Sequence, residues 1–503
     1  MITHHAERDP EGLALDDGER RRTWAELADR TQRFARFLRE DAGLRPDDRV
    51  ALLMGNRVEY AEAVVGAILA GVWVTPINWH LTPEEIAYVV RDSGARLLVT
   101  DEGHEAAARA AEPPALLRVG DELERALAGA SDEPMPLGGP AGGPMIYTSG
   151  TTGRPKGVKR ARAGSLGGAL AGQKAYGHRV GLDGSGPHLV TGPMYHAAPL
   201  MFAVYDQANG APMLILPRFD PQQLLAILAE REVAHTHLVP TMFVRLLRLP
   251  EEERARFAAS RLEVVLHGAA PVSVPVKRRM IEWWGPILLE YWGATEGGVN
   301  TLASSEEWLA HPGTVGRALA DFEIFAVDDA GGRLPPGEVG TLYCRHRRQE
   351  RPFEYHGDPE KTAAAYLEPG VFTIGDVGRV DAEGWVHLVD RRSNTIISGG
   401  VNVYPAEVEH VLLEHPAVAD VAVFGIPDEE WGESVKAAVE LRPGFEASPA
   451  LEAELLAFAR EHLARYKVPR SVDFEAALPR HPSGKLYVRR LRDRYWEGRE
   501  RRI

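Results

Sequence analysis

Seventy-two acidic against fifty-eight basic side chains in 503 residues give a formal net charge of −14, which argues against nucleic acid or an acidic membrane as the main partner. A hydrophobic share of 44% with 26% charged residues is that of a globular protein, and the length exceeds one ordinary core, so at least two domains are expected. The only cysteine, Cys344, excludes an internal disulfide and a thiolate metal cluster.

The opening "MITHHAERDP" lacks the apolar core of a signal peptide, and no run approaches a membrane span, so a cytoplasmic protein is expected. "TWAELADRTQRFARFLRE" (23–40) brings Leu27, Phe34 and Leu38 to one helical face, with Thr23 placed to cap it. "RVALLMGN" (49–56) and "ARLLVTD" (95–101) read as short apolar strands. Between them "YAEAVVGAILAGVWVTPIN" reads as helix, glycine and strand. Strands alternating with helices indicate a parallel sheet and an α/β class.

"APMLILP" (211–217), "VAHTHLVP" (233–240) and "LEVVLHGAAP" (262–271) continue as strands that run into loops. Ligands of open α/β sheets sit beyond the carboxyl ends of strands, so these loops are the places to look. After Val315 the chain turns to short β pieces with Gly and Pro turns, and from about Asn394 to a separate α+β pattern. There "PAEVEHVLLEHP" is a helix begun by Pro405, "VADVAVFGIPD" a strand and "SPALEAELLAFAREHLARY" another helix. The arginine-rich tail "RRLRDRYWEGRERRI" reads as a solvated end.

"YTSGTTGRPKGV" (147–158) carries the first chemistry. Its glycines 150, 153 and 157 let backbone approach an anion. Thr148, Ser149, Thr151 and Thr152 add hydroxyls, and Lys156 adds a mobile positive charge. A flexible spacer has similar composition, but the preceding "GPMIY" is strand-like and the Pro-Lys-Gly ending is unlike a spacer. Gly150 to Lys156 does not fit G-x-x-x-x-G-K-[ST], which argues against a P-loop kinase. "HEAAA" (104–108) lacks the second histidine of a zinc motif, and no G-x-S-x-G elbow occurs.

"YTSGTTGRPKG" resembles the signature of the adenylate-forming enzymes: acyl- and aryl-CoA synthetases, luciferases and peptide-synthetase adenylation domains. Further motifs follow in that superfamily's order: "PMYHAAP" (193–199), "HGAAP" (267–271), "EYWGATEG" (290–297), "FTIGDVGRVDAEGWVHLVDR" (372–391), "IISGGVNVYPAEVE" (396–409) and "LPRHPSGK" (478–485). The likeness spans nearly the whole chain and is nearest to AMP-forming fatty- and aryl-acid CoA ligases.

The resemblance implies a large N-terminal α/β domain (1–390) of α/β subdomains plus a small β-barrel-like part. A hinge at 391–394 would join it to a small mobile α+β domain (395–503). It implies ATP, Mg²⁺ and coenzyme A as co-reactants of a carboxylic acid, and it admits a homodimer. Thr148, Ser149, Gly150, Thr152, Gly153 and Lys156 would grip phosphates. Gly268, Ala269, Ala270, Pro271, Glu290, Tyr291, Trp292 and Thr295 would hold the rest of the nucleotide, with Asp376 and Arg391 at the ribose.

Glu296, a carboxylate suited to Mg²⁺, forms the implied catalytic set with Lys485, Thr151 and His196. His196, Met201, Thr241, Gly268, Trp292, Gly293 and Gly297 would line the acid pocket, and Ser398, Gly399 and Gly400 would serve the second half-reaction. In isolation Glu296 could be a surface carboxylate, Asp376 a turn cap, Arg391 a linker charge, Lys485 a turn lysine and His196 a core histidine.

Two departures lie where a thioester-forming conformation would be built. Ser393 and Asn394 stand where Asp or Lys is usual, and Val401 replaces a frequent glutamate. The small, apolar pocket segments show no counter-charge for an ammonium, so a hydrophobic acid is expected. The leading reading is an acid–CoA ligase. An amide synthetase passing the acyl group to an amine is the second, and a catalytically silent nucleotide-binding protein the third.

Overall fold

The computed structural model describes residues 2–148, 155–270, 272–391, 394, 396–398, 401–428, 431–480 and 486–497. The backbone forms two compact units, Met1–Pro312 with His346–Gly370 and Gly313–Arg345 with Val371–Ile503.

The first unit holds two sheets flanked by helices. In one, strands Leu288–Ala294, Val264–His267, His235–Leu238, His188–Val190, Met213–Ile215 and Leu13–Asp16 lie side by side in parallel. Gly298–Ala303 adds antiparallel at one side and Arg21–Thr23 at the other. The second sheet has seven strands, in the order Phe353–Tyr355, Lys156–Arg160, Gly143–Thr148, Trp73–Pro76, Arg49–Leu53, Leu97–Thr100 and Leu116–Arg118. Its central pairs are parallel and its first two antiparallel. Parallel strands need crossovers, and apolar faces on both sides of each sheet bury the connecting helices.

Local signals act as expected from chemistry. Thr23 accepts from the Glu26 amide and Glu26 answers the Thr23 amide, a capping box that starts the helix Trp24–Arg36. Thr82 and Glu85 repeat the device on the helix Pro83–Ser93, which ends at the left-handed Gly94.

In the second unit Val371–Val380 pairs antiparallel with both Gly340–His346 and Val386–Arg391, and Phe322–Val327 lies beside Gly340–His346. The carboxyl-terminal hundred residues form another sheet, built on the long hairpin of Val418–Asp428 and Gly432–Leu441. Helices Pro405–Leu413 and Pro449–His462 pack around it through Val408, Leu412 and Leu455.

The described part of the arginine-rich tail, 489–497, departs from its reading as a solvated end, and 498–503 lie outside the described residues. Helix Val488–Trp496 buries Leu491, and Trp496 donates its indole N–H to the Gly425 carbonyl at 3.0 Å. Its arginines lie on the outer face while one apolar stripe docks, which charge content alone conceals. Among the described residues no helix is long and apolar enough to cross a membrane.

Candidate active site

The parallel strands His188–Val190, His235–Leu238, Val264–His267 and Leu288–Ala294 carry their following loops to one rim of the sheet. That rim gathers His196, Thr241, Gly268, Ala269, Ala270, Thr295, Glu296 and Gly297, all singled out from sequence. Two glycines permit its close packing. A β-carbon at Gly268 would fall 2.6 Å from the Tyr291 carbonyl oxygen, and one at Gly293 would fall 1.9 Å from that of Gly298. Ala269 holds φ at 64°, a left-handed conformation that costs a non-glycine residue energy. Such strain marks a backbone held in one required shape.

The glycine-rich segment is flanked by two paired strands. Gly143–Thr148 and Lys156–Arg160 pair antiparallel, with Tyr147 opposite Gly157 and Thr148 opposite Lys156. Its root is fixed by the helix Pro83–Ser93. Asp92 lies 3.5 Å from the Lys156 ammonium and accepts the Tyr147 hydroxyl at 2.7 Å. The Tyr88 hydroxyl lies 3.1 Å from Asp92 and 3.0 Å from the Pro155 carbonyl. Burial disfavours the ammonium, but Asp92, with Tyr88 and Asp358, outweighs it and holds Lys156 above the ordinary lysine range. The lysine is therefore fully charged near neutrality.

Glu296 is buried and accepts the Tyr355 hydroxyl at 2.9 Å. Tyr355 belongs to the strand Phe353–Tyr355, which pairs with Lys156–Arg160. Among the described residues no three His, Cys, Asp or Glu side chains converge as a metal cage. A single buried carboxylate such as Glu296 would suit Mg²⁺, which keeps few protein ligands and binds largely through phosphate oxygens.

Glu290 behaves differently from its motif neighbours. Its carboxylate is buried and meets the fully buried Lys277 ammonium at 2.5 Å. Lys277 also stands 4.6 Å over the Trp308 ring. Burial pushes Lys277 down to about 8 and pushes Glu290 up, each opposed by the partner. The pair ties the helix Val274–Trp284 to the strand Leu288–Ala294 and engages the Glu290 carboxylate.

His196 stands at the residue before the helix Ala197–Asn209, which carries the buried Met201. Behind it His237 Nε2 and the Tyr291 hydroxyl are hydrogen-bonded at 3.0 Å, with the Phe202 ring 5.4 Å from the imidazole. Burial, helped by His188 and His196, pushes His237 down to about 3, so its ring is neutral. Trp292 is buried in the same strand as Tyr291, and Thr241 lies in the first turn of the helix Pro240–Leu247.

In the second unit Asp376 is buried on the strand Val371–Val380 and stands directly opposite Arg391 in register. Ser398 ends the strand Ile396–Ser398, opposite Gly432. Ser149, Gly150, Thr151, Thr152, Gly153, Pro271, Ser393, Gly399, Gly400 and Lys485 lie outside the described residues, as do the side chains of Arg391 and Val401.

The chain is similar to known proteins. The profile of the AMP-binding enzymes matches residues 2–349, and that of the AMP-binding enzyme C-terminal domain matches 407–485. The chain belongs to the AMP-binding enzyme family. Within that family it is 35% identical over 495 residues to a feruloyl-CoA synthase of Amycolatopsis sp, with 97% of each chain covered. The structure of ATP-bound MatB from Rhodopseudomonas palustris superimposes with a TM-score of 0.86 at 29% identity, covering 98% of both chains. An amide bond synthetase from Marinactinospora thermotolerans reaches 0.84 at 27% identity, covering 98% of this chain and 99% of that one.

Sequence reasoning missed Asp92, Tyr355, Lys277 and His237. "THLVP" carried a signal for His237, since a histidine inside an apolar strand at a rim invites a question. The other three meet their partners only through tertiary pairing.

Proposed function

We propose that this AMP-binding family member activates a hydrophobic carboxylic acid with ATP and passes the acyl group to coenzyme A. What carries the reading is the meeting of the hairpin root, with Lys156 charged at its end, and the Tyr355–Glu296 pair on adjacent strands.

A carboxylate cannot acylate a thiol directly, because oxide is its leaving group. In the first half-reaction a carboxylate oxygen bonds to the ATP α-phosphorus, the bond to the bridging oxygen breaks, and pyrophosphate departs. The protein need supply only position and charge. Thr148 and Lys156, with Ser149, Gly150, Thr151, Thr152 and Gly153, would hold the departing phosphates. Glu296, oriented by Tyr355, would hold Mg²⁺. When bound, that ion neutralises charge on the phosphate oxygens.

Strained Ala269 with Ala270, Pro271 and Thr295 would face the base, while Asp376 and Arg391 would hold the ribose. Lys485 would stabilise charge moving onto the α-phosphate. In the second half the thiol, having lost its proton, bonds to the acyl carbon and AMP leaves. A hinge at 391–394 would exchange Lys485 for the Ser398–Gly400 segment between halves, with 395–503 moving against 1–390.

A second reading, transfer to an amine, is favoured by the amide bond synthetase likeness together with Ser393 and Val401 at departures from the usual pattern. Pyrophosphate release over a panel of acids, then mass spectrometry of products with coenzyme A or amines, separates the two. A thioester supports the first reading, and an amide without thioester replaces it with the second.

A further inference from the structure

The strands Leu288–Ala294 and Gly298–Ala303 are out of step at one place. Trp292 faces Thr301 and Gly293 faces Val299, so Asn300 is the extra residue of a β-bulge. Bulges re-aim side chains and cluster beside active sites. This one lies four residues beyond Glu296.

Asn300 is fully buried, and neither the oxygen nor the nitrogen of its carboxamide has a hydrogen-bond partner among the described residues. Its surroundings are otherwise answered. The Trp292 amide donates to the Thr301 hydroxyl at 3.2 Å, and the Val299 amide donates to the Tyr176 hydroxyl at 2.8 Å. Native interiors seldom leave a buried amide with both its donor and its acceptor idle, because desolvation then goes uncompensated.

A cation lies near the same strand. A β-carbon at Gly298 would fall 2.8 Å from Arg160 Nη1 and 3.0 Å from both Nη2 and the Tyr176 hydroxyl. Arg160 is hydrogen-bonded to the Tyr205 side chain, a neutral partner that leaves its charge unmatched by that contact. The corner where the strand begins therefore presents a guanidinium and a phenol, and two residues on it presents an orphaned amide.

We infer that Asn300 is a specificity residue for the acid, and that the acid carries a hydroxyl group on its apolar body. The inference rests on the acid-activating reading above. A carboxamide offers one acceptor and one donor group, and a hydroxyl matches both, whereas hydrogen or methyl leaves the amide as idle as before. Arg160, close by, favours an oxygen that bears partial negative charge, such as a phenol. A site built this way rejects the deoxy analogue far more strongly than an apolar wall rejects an added methyl.

The test uses the full-length protein and acid-dependent ATP–pyrophosphate exchange. Benzoic, cinnamic and octanoic acids are each compared with their singly hydroxylated isomers. One hydroxylated isomer is expected to exceed its parent by about tenfold or more in kcat/KM. In Asn300→Leu that ratio should collapse toward one while the KM for ATP stays unchanged. The wild-type ratio does not depend on how the variant folds. Parent and hydroxylated acids exchanging alike, as they would if water answers the amide, overturns the inference, and so does a preference that survives Asn300→Leu. Absence of exchange with every acid overturns the acid-activating reading itself.

Discussion

Tyr355 donates its hydroxyl to Glu296 at 2.9 Å and so ties the strand beside the glycine-rich hairpin to the carboxylate proposed to hold Mg²⁺. The tyrosine is itself fixed, since its amide donates to Thr362 Oγ1 at 3.0 Å and Lys361 stands 4.3 Å over its ring. Removing the hydroxyl should leave the fold intact and let Glu296 wander. A hydrogen bond to a charged group is worth about 1.5–3 kcal/mol, so Tyr355→Phe should lose roughly tenfold or more in pyrophosphate exchange. The loss should shrink as Mg²⁺ is raised. Titrating Mg²⁺ in both proteins checks this, and an identical Mg²⁺ dependence would remove Tyr355 from its orienting role.

If Lys156 grips phosphate as proposed, Asp92 would compete with that phosphate for the ammonium. Both side chains are partly exposed, at 20% and 23%, so the pair is screened. Such pairs are worth about 0.2–1 kcal/mol, and Asp92→Asn should therefore tighten ATP and pyrophosphate binding by up to roughly fivefold. Simple damage to the hairpin root would weaken both ligands instead. Isothermal titration with each ligand reads the sign, and weakened binding would refute competition.

The buried pair of Lys277 and Glu290 makes a prediction about stability rather than catalysis. Lys277→Met leaves a carboxylate unpaired in the interior, which should cost about 3–5 kcal/mol. Lys277→Met with Glu290→Gln should recover most of that and keep the KM for ATP near wild type. Denaturant unfolding measures the first effect and exchange kinetics the second. A raised KM in the double variant would return Glu290 to the nucleotide.

Much of the fold was legible because local signals agree with the global pattern. Thr23 with Glu26, and Pro405 before an apolar stripe, start helices wherever they occur. The loops after "VVLH" and "LLEYWGA" mark the rim because ligands collect at the carboxyl ends of parallel strands. Asp92 could not be read as a partner of Lys156, since its helix meets the hairpin only after two sheet crossovers. Nor could Asn300, because a bulge is a property of the pairing of two strands and is not written in either one alone. Nor does the motif "EYWGATEG" reveal that the Glu290 carboxylate pairs with Lys277 from another element.

At the far end of the main sheet, Asp206 accepts from His235 Nδ1 at 2.7 Å and His188 Nδ1 at 3.0 Å, all three buried. His235 Nε2 faces Ser185 Oγ at 3.3 Å and Asp183 at 3.6 Å, with Glu263 beyond the serine. Burial opposes the imidazolium, but Asp206, Asp183 and Glu263 outweigh it and raise His235 above its usual 6.5. Burial likewise opposes the Asp206 carboxylate, and the two histidines hold it below 3.8. A histidine with a raised folded pKa contributes stability that is complete below the unfolded pKa and is lost as pH rises through the folded value. A carboxylate with a depressed folded pKa contributes above 3.8 and loses it as pH falls through the folded value. Between these limits the pair is intact, so thermal stability should decline as pH rises above about 6.5 and through the folded value of His235. Melting temperature measured from pH 5 to 9 should show that decline, and His235→Gln should flatten it. A wild-type profile that is level or rising over this range would show that His235 does not carry the charge assigned to it.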